Sequence, residues 1–183
     1  MKSIEEQLAR YKSVHLNQKN INTHFIGVPL IVFAVTLMLS AITIEINLDN
    51  VLSTEGTLSF TLAMVIFAFV ALYYAALHRL LALGMLIYLL INLFVAQLFS
   101  DSEGLLYIAL ALFVVGWIIQ FIGHYYEKAK PAFVDDLSQF LIGPLFLMAE
   151  VYFFLGLESR LQADITKLAI EKRNALSDKA SSK

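Results

Sequence analysis

Long apolar runs separated by short polar segments dominate the chain. Four uncharged runs are each close to the ~20 residues that a helix needs to cross a bilayer, and they lie at Phe25–Ile44, Leu58–Leu77, Leu80–Ser100 and Leu105–Ile122. A fifth run, Phe140–Leu157, contains Gly143 and Pro144 near its start and Glu150 in its middle. The pattern predicts an all-α, polytopic membrane helical bundle with four transmembrane helices, an N-terminal interfacial helix and a broken or re-entrant C-terminal helix.

Composition supports a membrane protein. Hydrophobic residues make up 59% of the 183 residues and charged residues 15%, with a mean hydropathy of +0.73, whereas a soluble domain has about 45–50% apolar residues. We therefore expect a single membrane domain over residues 1–183, with a cytoplasmic segment at 1–24, the bundle at 25–157 and a polar helix and tail at 158–183. The net charge of −2, without a basic cluster, argues against a nucleic-acid partner.

Lys and Arg predict the orientation of the bundle, because they favour the cytoplasmic side of a membrane. Cations precede the first run, whereas the connections after the first and third runs carry acidic residues only. The N-terminus is thus expected in the cytoplasm, with the protein in a bacterial inner membrane or the endoplasmic reticulum. The cationic segment after Glu158 lies on the same side only if Phe140–Leu157 enters and leaves there. We predict that this run is re-entrant and closes a pocket.

All four histidines fall at the predicted cytoplasmic boundary, namely His15, His24, His78 and His124. Neutral imidazoles bind iron, zinc, copper or nickel, and the chain has no cysteine that could bind a metal instead. The arrangement predicts one shared metal site, although single interfacial histidines often serve as anchors. On one straight helix His15 and His24 would lie ~13 Å apart on opposite faces. A shared ion therefore requires the helix to break and fold back in the asparagine-rich stretch Leu16–Asn22. The alternative is that this stretch is an ordinary loop between two helices and has no role in a metal site.

Two carboxylates lie close to these histidines or within an apolar run. Glu127 follows His124 by three residues and would share its helical face. It could bind the metal, support a ligand or serve as an interfacial charge, and we favour the supporting role. Glu150 is an ionisable group inside an apolar run, which indicates either a functional role or a structural hydrogen bond.

Two segments, YKSVHLNQKNINTHFIGVP and GWIIQFIGHYYEKAKPAFVDDLSQFLIGPLFLMAEV, occur in this order. Together they resemble the fungal 2-hydroxy fatty acid dioxygenase family, named for the metabolism of phytosphingosine to odd-numbered fatty acids. The resemblance implies a membrane-embedded dioxygenase with an Fe(2+) cofactor, which shortens a 2-hydroxy fatty acid by one carbon through oxidative α-cleavage with O₂.

The resemblance assigns His15, His24 and His124 to iron and to catalysis, and the topology alone adds His78 as a fourth ligand. Further polar residues are expected to hydrogen-bond to the ligands or to the substrate, and they are Asn17, Lys19, Asn20, Glu127, Asp136, Gln139 and Glu150. The main alternative is a non-catalytic membrane protein that binds lipid or acts as a scaffold, with histidines that only line the interface. Four dispersed histidines are too few for a di-iron hydroxylase.

Overall fold

The computed structural model describes residues 2–47, 56–100, 102–132 and 136–181, of which 176–181 are described by their backbone only. These residues form seven helices and one two-stranded antiparallel sheet. In chain order the elements are α1 (Ile4–Lys12), α2 (Gln18–Ser40), β1 (Thr43–Asn47), β2 (Thr57–Thr61), α3 (Leu62–Leu77), α4 (Arg79–Gln97), α5 (Leu105–Glu127), α6 (Gln139–Phe154) and α7 (Ser159–Ser181).

Three helices of the described chain, α2, α4 and α5, are long and apolar enough to cross a membrane. Large apolar side chains on the outside of the bundle remain exposed, among them Phe69, Phe94 and Ile118. This inverted distribution is expected where lipid is the solvent. The apolar helices α3 and α6 have only 16 residues each, so the predicted count of four spans rests on α3 being long enough with its flanking residues.

The connection between the first two apolar runs differs from the prediction. Helix α2 ends at Ser40, and the ends of both runs form strands β1 and β2, which pair from Thr43 with Thr61 to Asn47 with Thr57. The expectation of an all-α chain is wrong here. Apolar β-branched residues such as Ile44 fit a strand as well as a helix end, so hydrophobicity alone could not separate the two.

Helices α2 and α5 pack closely against each other at three glycines. A Cβ atom on Gly27 would lie 2.9 Å from the carbonyl oxygen of Gly116, and one on Gly116 would lie 3.0 Å from the carbonyl oxygen of Gly27. A Cβ atom on Gly123 would lie 2.5 Å from Oδ1 of Asn20. The missing side chains let the two backbones approach, which brings the start of α2 to the end of α5.

Helix α1 packs into the hydrophobic core at one end of the bundle. Its buried residues Ile4, Leu8 and Tyr11 belong to the same hydrophobic cluster as Phe146 of α6 and Ile165 of α7. The N-terminal and C-terminal helices are thereby packed together at one end of the bundle.

Helix α6 is continuous, which differs from the predicted break at Gly143 and Pro144. Pro144 is the sixth residue of the helix, so its missing N–H removes one backbone hydrogen bond near the start without ending the helix. Tyr11 lies against Gly143, where an added Cβ atom would meet the Tyr11 hydroxyl oxygen at 3.0 Å.

Replacing Gly123 with Ala should disturb the α2–α5 contact. The added methyl group meets Asn20 and Thr23, and overpacking of this kind costs about 1–3 kcal/mol. We expect a lower thermal midpoint in detergent for Gly123→Ala, measured by circular dichroism. Gly56→Ala is the matched control, because a Cβ atom there meets nothing within 4 Å. Equal midpoints for the two variants would contradict the close packing.

Candidate metal centre

The chain reverses between α1 and α2 and so brings two histidines together. Helix α1 ends at Lys12, and Asn17 caps α2 by accepting a hydrogen bond from the Lys19 N–H at 2.9 Å. The predicted break is confirmed, although it begins upstream of the stretch Leu16–Asn22 and leaves Asn20 inside α2. His15 in this turn therefore faces His24, which follows nine residues later on α2.

Three imidazole rings form a compact cluster at the junction of the α1–α2 turn, α2 and α5. The ring centroids of His15, His24 and His124 lie 4.5, 4.9 and 5.1 Å apart in pairs. Each residue offers one ring nitrogen within 4.8 Å of the other two. All three residues are buried, with at most 9% of their surface exposed. We call these residues the histidine triad.

Hydrogen bonds set the tautomers of two triad members. Nδ1 of His15 lies 2.7 Å from the carbonyl oxygen of Tyr11, and Nδ1 of His24 lies 2.8 Å from the carbonyl oxygen of Asn20. A carbonyl oxygen only accepts, so both Nδ1 atoms carry the proton. The two Nε2 atoms then face each other with lone pairs at a separation of 3.0 Å. Such lone pairs repel unless a proton or a cation lies between them.

A cation fits this position better than a shared proton. Burial, with a further contribution from His24, holds the pKa of His15 well below its ordinary value, so its ring is neutral near pH 7. Nδ1 of His124 is also buried and has no hydrogen-bond partner among the described residues. Three buried imidazoles, two of them with opposed lone pairs, are a donor set suited to a divalent transition metal.

The carboxylate of Glu127 supports the triad through hydrogen bonds. Its Oε2 atom accepts from the Asn17 N–H at 2.8 Å and from Nδ2 of Asn20 at 3.2 Å. The backbone carbonyl oxygen of Asn20 in turn accepts a hydrogen bond from Nδ1–H of His24. Arg173 of α7 lies 3.5 Å from Oε1 of the same carboxylate. Glu127 is thus occupied by these contacts and is not a member of the triad.

The structure does not place His78 with the other three histidines. Its backbone is extended between α3 and α4, and its Nδ1 atom accepts a hydrogen bond from the Leu81 N–H at 3.3 Å. Nε2 lies 3.7 Å from Oε1 of Glu158. The expectation that all four histidines share one site is corrected, because His78 caps the start of α4.

Two more predicted residues lie outside the triad. Lys19 is exposed, with its ammonium group 5.3 Å from the centre of the Tyr126 ring. Asp136 is paired with Arg10 at 2.8 Å and accepts hydrogen bonds from Ser138, which lower the pKa of its carboxyl group. Asp136 therefore ties the start of α6 to α1.

Glu150 has a partner that the sequence pattern did not indicate. Nζ of Lys12 on α1 lies 2.6 Å from Oε1 of Glu150 on α6, and both side chains are mostly buried. The pair favours the structural reading of Glu150, in which the carboxylate holds α6 against α1.

A cavity of about 80 Å³ opens beside the triad. Its apolar wall includes Val28, Ile31, Val32, Trp117, Phe140 and Pro144. Gln120 of α5 and Gln139 of α6 add two buried amides. A second, wholly apolar cavity of about 120 Å³ shares Val28 and Pro144 with the first.

Sequence reasoning named Gln139 but missed Gln120 and Arg173 as parts of this region. A glutamine inside an apolar span is a signal that could have identified Gln120, because polar groups at membrane depth are costly and usually functional. Arg173 lies on a polar helix far along the chain, where no local pattern distinguishes it from other cations.

Two comparisons with known proteins agree. The family described as 2-hydroxy-palmitic acid dioxygenase Mpo1-like matches residues 1–155. The chain is 37% identical over 177 residues to the 2-hydroxy-palmitic acid dioxygenase MPO1 of Saccharomyces cerevisiae, covering 93% of this chain and 92% of the yeast protein. No solved structure matches the chain.

The Lys12–Glu150 pair can be tested as a structural contact. Removing one partner leaves the other charge buried, so Lys12→Met and Glu150→Leu should each lower the free energy of unfolding by about 1–3 kcal/mol. The double variant should lose less than the sum of the two. Chemical denaturation in detergent measures the three values. Lys167→Met, at an exposed position, is the control, and strictly additive losses would contradict the pair.

Proposed function

We propose that this chain, which belongs to the 2-hydroxy-palmitic acid dioxygenase Mpo1-like family, is an iron(II)-dependent dioxygenase that shortens 2-hydroxy fatty acids by one carbon. The observation that carries the metal dependence is the histidine triad, in which two fixed Nδ1–H donors leave opposed Nε2 lone pairs in a buried site. The family and the yeast relative support the substrate class and the reaction type.

The residues present fit a ferrous ion. His15, His24 and His124 would hold it, since neutral imidazole nitrogens suit iron. When bound, the ion supplies open positions for O₂ and for the oxygens of the substrate. The chain's own contribution is to fix the ring orientations. The backbone carbonyl oxygens of Tyr11 and Asn20 accept hydrogen bonds from the Nδ1–H groups of His15 and His24, and the Glu127 carboxylate accepts a hydrogen bond from the Asn20 side chain.

The proposed reaction balances without an external reductant. The bond between C1 and C2 of the 2-hydroxy acid breaks, C2 becomes the carboxyl carbon of the shorter acid, and C1 leaves as carbon dioxide with formation of one water. One O₂ accepts the four electrons released by these oxidations. Neither a nucleotide nor a flavin cofactor is therefore needed.

The apolar wall of the cavity suits an acyl chain. Val28, Ile31 and Trp117 face the cavity next to the triad, and the second apolar cavity begins at Val28 and Pro144. A hydrocarbon tail in this position would exclude water from the reacting end of the substrate.

The test of the function is turnover by purified protein. Protein in detergent is loaded anaerobically with Fe(II), mixed with 2-hydroxypalmitic acid and exposed to O₂, and the product is identified by mass spectrometry. The expected product is the acid with 15 carbons, at about one iron per chain. A protein that binds the acid but neither iron nor O₂ would instead be a lipid-binding scaffold.

Substitution of each histidine separates the triad from His78. We expect His15→Ala, His24→Ala and His124→Ala to lower the iron content and to abolish turnover, because each removes one nitrogen donor. His78→Ala should retain parental iron content and serves as the matched control, since His78 only caps α4. Iron and turnover are measured on folded protein after size-exclusion chromatography. Loss of iron in His78→Ala would restore the four-histidine site.

We also propose that both termini and the metal site lie on the cytoplasmic side. Helices α1 and α7 pack together, and Arg173 donates to the carbonyl oxygen of Ser13 at 3.1 Å. Helix α6 starts near the triad, and just after its end Glu158 lies close to His78. These contacts support a continuous helix whose two ends lie at the same side of the membrane.

The orientation predicts that a reporter enzyme fused after Lys183 is active only in the cytoplasm. The same reporter fused before Met1 should give the same result, because α1 and α7 share one end of the bundle. Opposite results for the two fusions would contradict the placement of both ends of α6 at one side of the membrane.

A further inference from the structure

Unpaired polar atoms inside the described part of the chain concentrate at one place. Four buried side-chain atoms have no hydrogen-bond partner there, and they are Oδ1 of Asn20, Nε2 of Gln120, Nδ1 of His124 and Oε1 of Gln139. Gln120, His124 and Gln139 line the cavity beside the triad, and Asn20 hydrogen-bonds to His24. Buried polar atoms normally find partners, so this concentration indicates that another molecule supplies them.

Buried amides elsewhere in the bundle do have partners. Nδ2 of Asn92 donates to the carbonyl oxygen of Tyr88 at 2.9 Å, and Nε2 of Gln7 donates to the hydroxyl of Tyr73 at 3.3 Å. The fold can thus satisfy an amide inside the bundle. Burial of an amide alone therefore does not explain the unpaired atoms of Gln120 and Gln139.

Both amides are deeply buried. Gln120 is 4% exposed and Gln139 is 1% exposed. The Gln120 amide lies against the backbone of α2, where a Cβ atom on Gly27 would come within 2.6 Å of Nε2. The glycine leaves room for the amide beside the triad. One unpaired donor and one unpaired acceptor thus share a cavity with the three histidines.

We propose that Gln120 and Gln139 bind the polar end of the substrate, with Nε2 of Gln120 donating to the carboxylate and Oε1 of Gln139 accepting from the 2-hydroxyl group. This inference rests on the proposed function for the substrate class. A carboxylate only accepts, whereas a hydroxyl can donate, so the two amide atoms match the two groups in kind. A carboxylate has two oxygens, so one would remain for Gln120 if a bound metal contacted the other.

The pairing gives Gln139 a role in specificity. An acid without the 2-hydroxyl group would leave Oε1 of Gln139 buried and unpaired, and sites that hydrogen-bond a hydroxyl reject analogues that lack it. Gln120 contacts a group that both acids possess. Gln139 is thus the selecting residue and Gln120 the anchoring residue.

The experiment uses iron-loaded, anaerobic protein in detergent, so that binding is measured without turnover. The variants are Gln120→Met and Gln139→Met, and the control is Gln97→Met, an exposed glutamine at the end of α4. Affinities for 2-hydroxypalmitic acid and palmitic acid are measured by calorimetry, with thermal stability and iron content determined for each free protein.

We expect Gln139→Met to weaken binding of 2-hydroxypalmitic acid about tenfold and to leave palmitic acid unchanged. Gln120→Met should weaken both acids by a similar factor. Because the unpaired atoms stabilise nothing in the free protein, both variants should be at least as stable thermally as the parent and keep its iron content. Gln97→Met should match the parent in every measurement.

Two results would overturn the proposal. If Gln139→Met kept the parent's preference for the hydroxylated acid, Gln139 would not be the residue that selects the hydroxyl group. A marked loss of thermal stability in either variant would show that the amides stabilise the fold instead. The proposed function can fail separately. If the parent protein prefers the hydroxylated acid through Gln139 but makes no shorter acid on exposure to O₂, the binding proposal stands and the proposed dioxygenase activity is wrong.

Discussion

The buried carboxylate of Glu127 is the interaction on which the site depends. It lies at the end of α5 and accepts hydrogen bonds from Asn17 and Asn20 at the start of α2, while Arg173 approaches it from α7. Three segments that are distant in sequence are thereby joined at one negative charge. A carboxylate in this setting needs all of its partners, because an unpaired buried charge is strongly destabilising. The positions of the triad rings follow from this junction.

Charged groups around the site have ion-pair partners, whereas several polar atoms within the site lack suitable partners. Lys12 pairs with Glu150 and Arg10 with Asp136, so α1 is fixed to α6 and to the segment just before it by two ion pairs. In contrast, the opposed Nε2 atoms of the triad and the amides of Gln120 and Gln139 lack suitable partners in the described chain. Functional sites commonly retain such local costs, which the surrounding packing offsets. The contrast supports the proposed site without reference to the family.

Close packing of α2 and α5 is the second requirement. Gly27, Gly116 and Gly123 let the two backbones approach, and the same approach positions Gln120 against α2. In lipid there is no hydrophobic driving force for helix association, so small residues and polar contacts determine where membrane helices meet. Here the small residues and the polar contacts lie at the same end of the helix pair, beside His24 and His124.

The long apolar runs, the break near Asn17 and the donor chemistry of His15, His24 and His124 were predictable from the sequence, because hydrophobic length, capping preference and side-chain type are local properties. The separation of His78, the pairing of the ends of two apolar runs as strands, and the positions of Gln120 beside the triad and Arg173 beside Glu127 were not predictable. These outcomes depend on which residues meet across helices, and no local pattern encodes such contacts between distant segments.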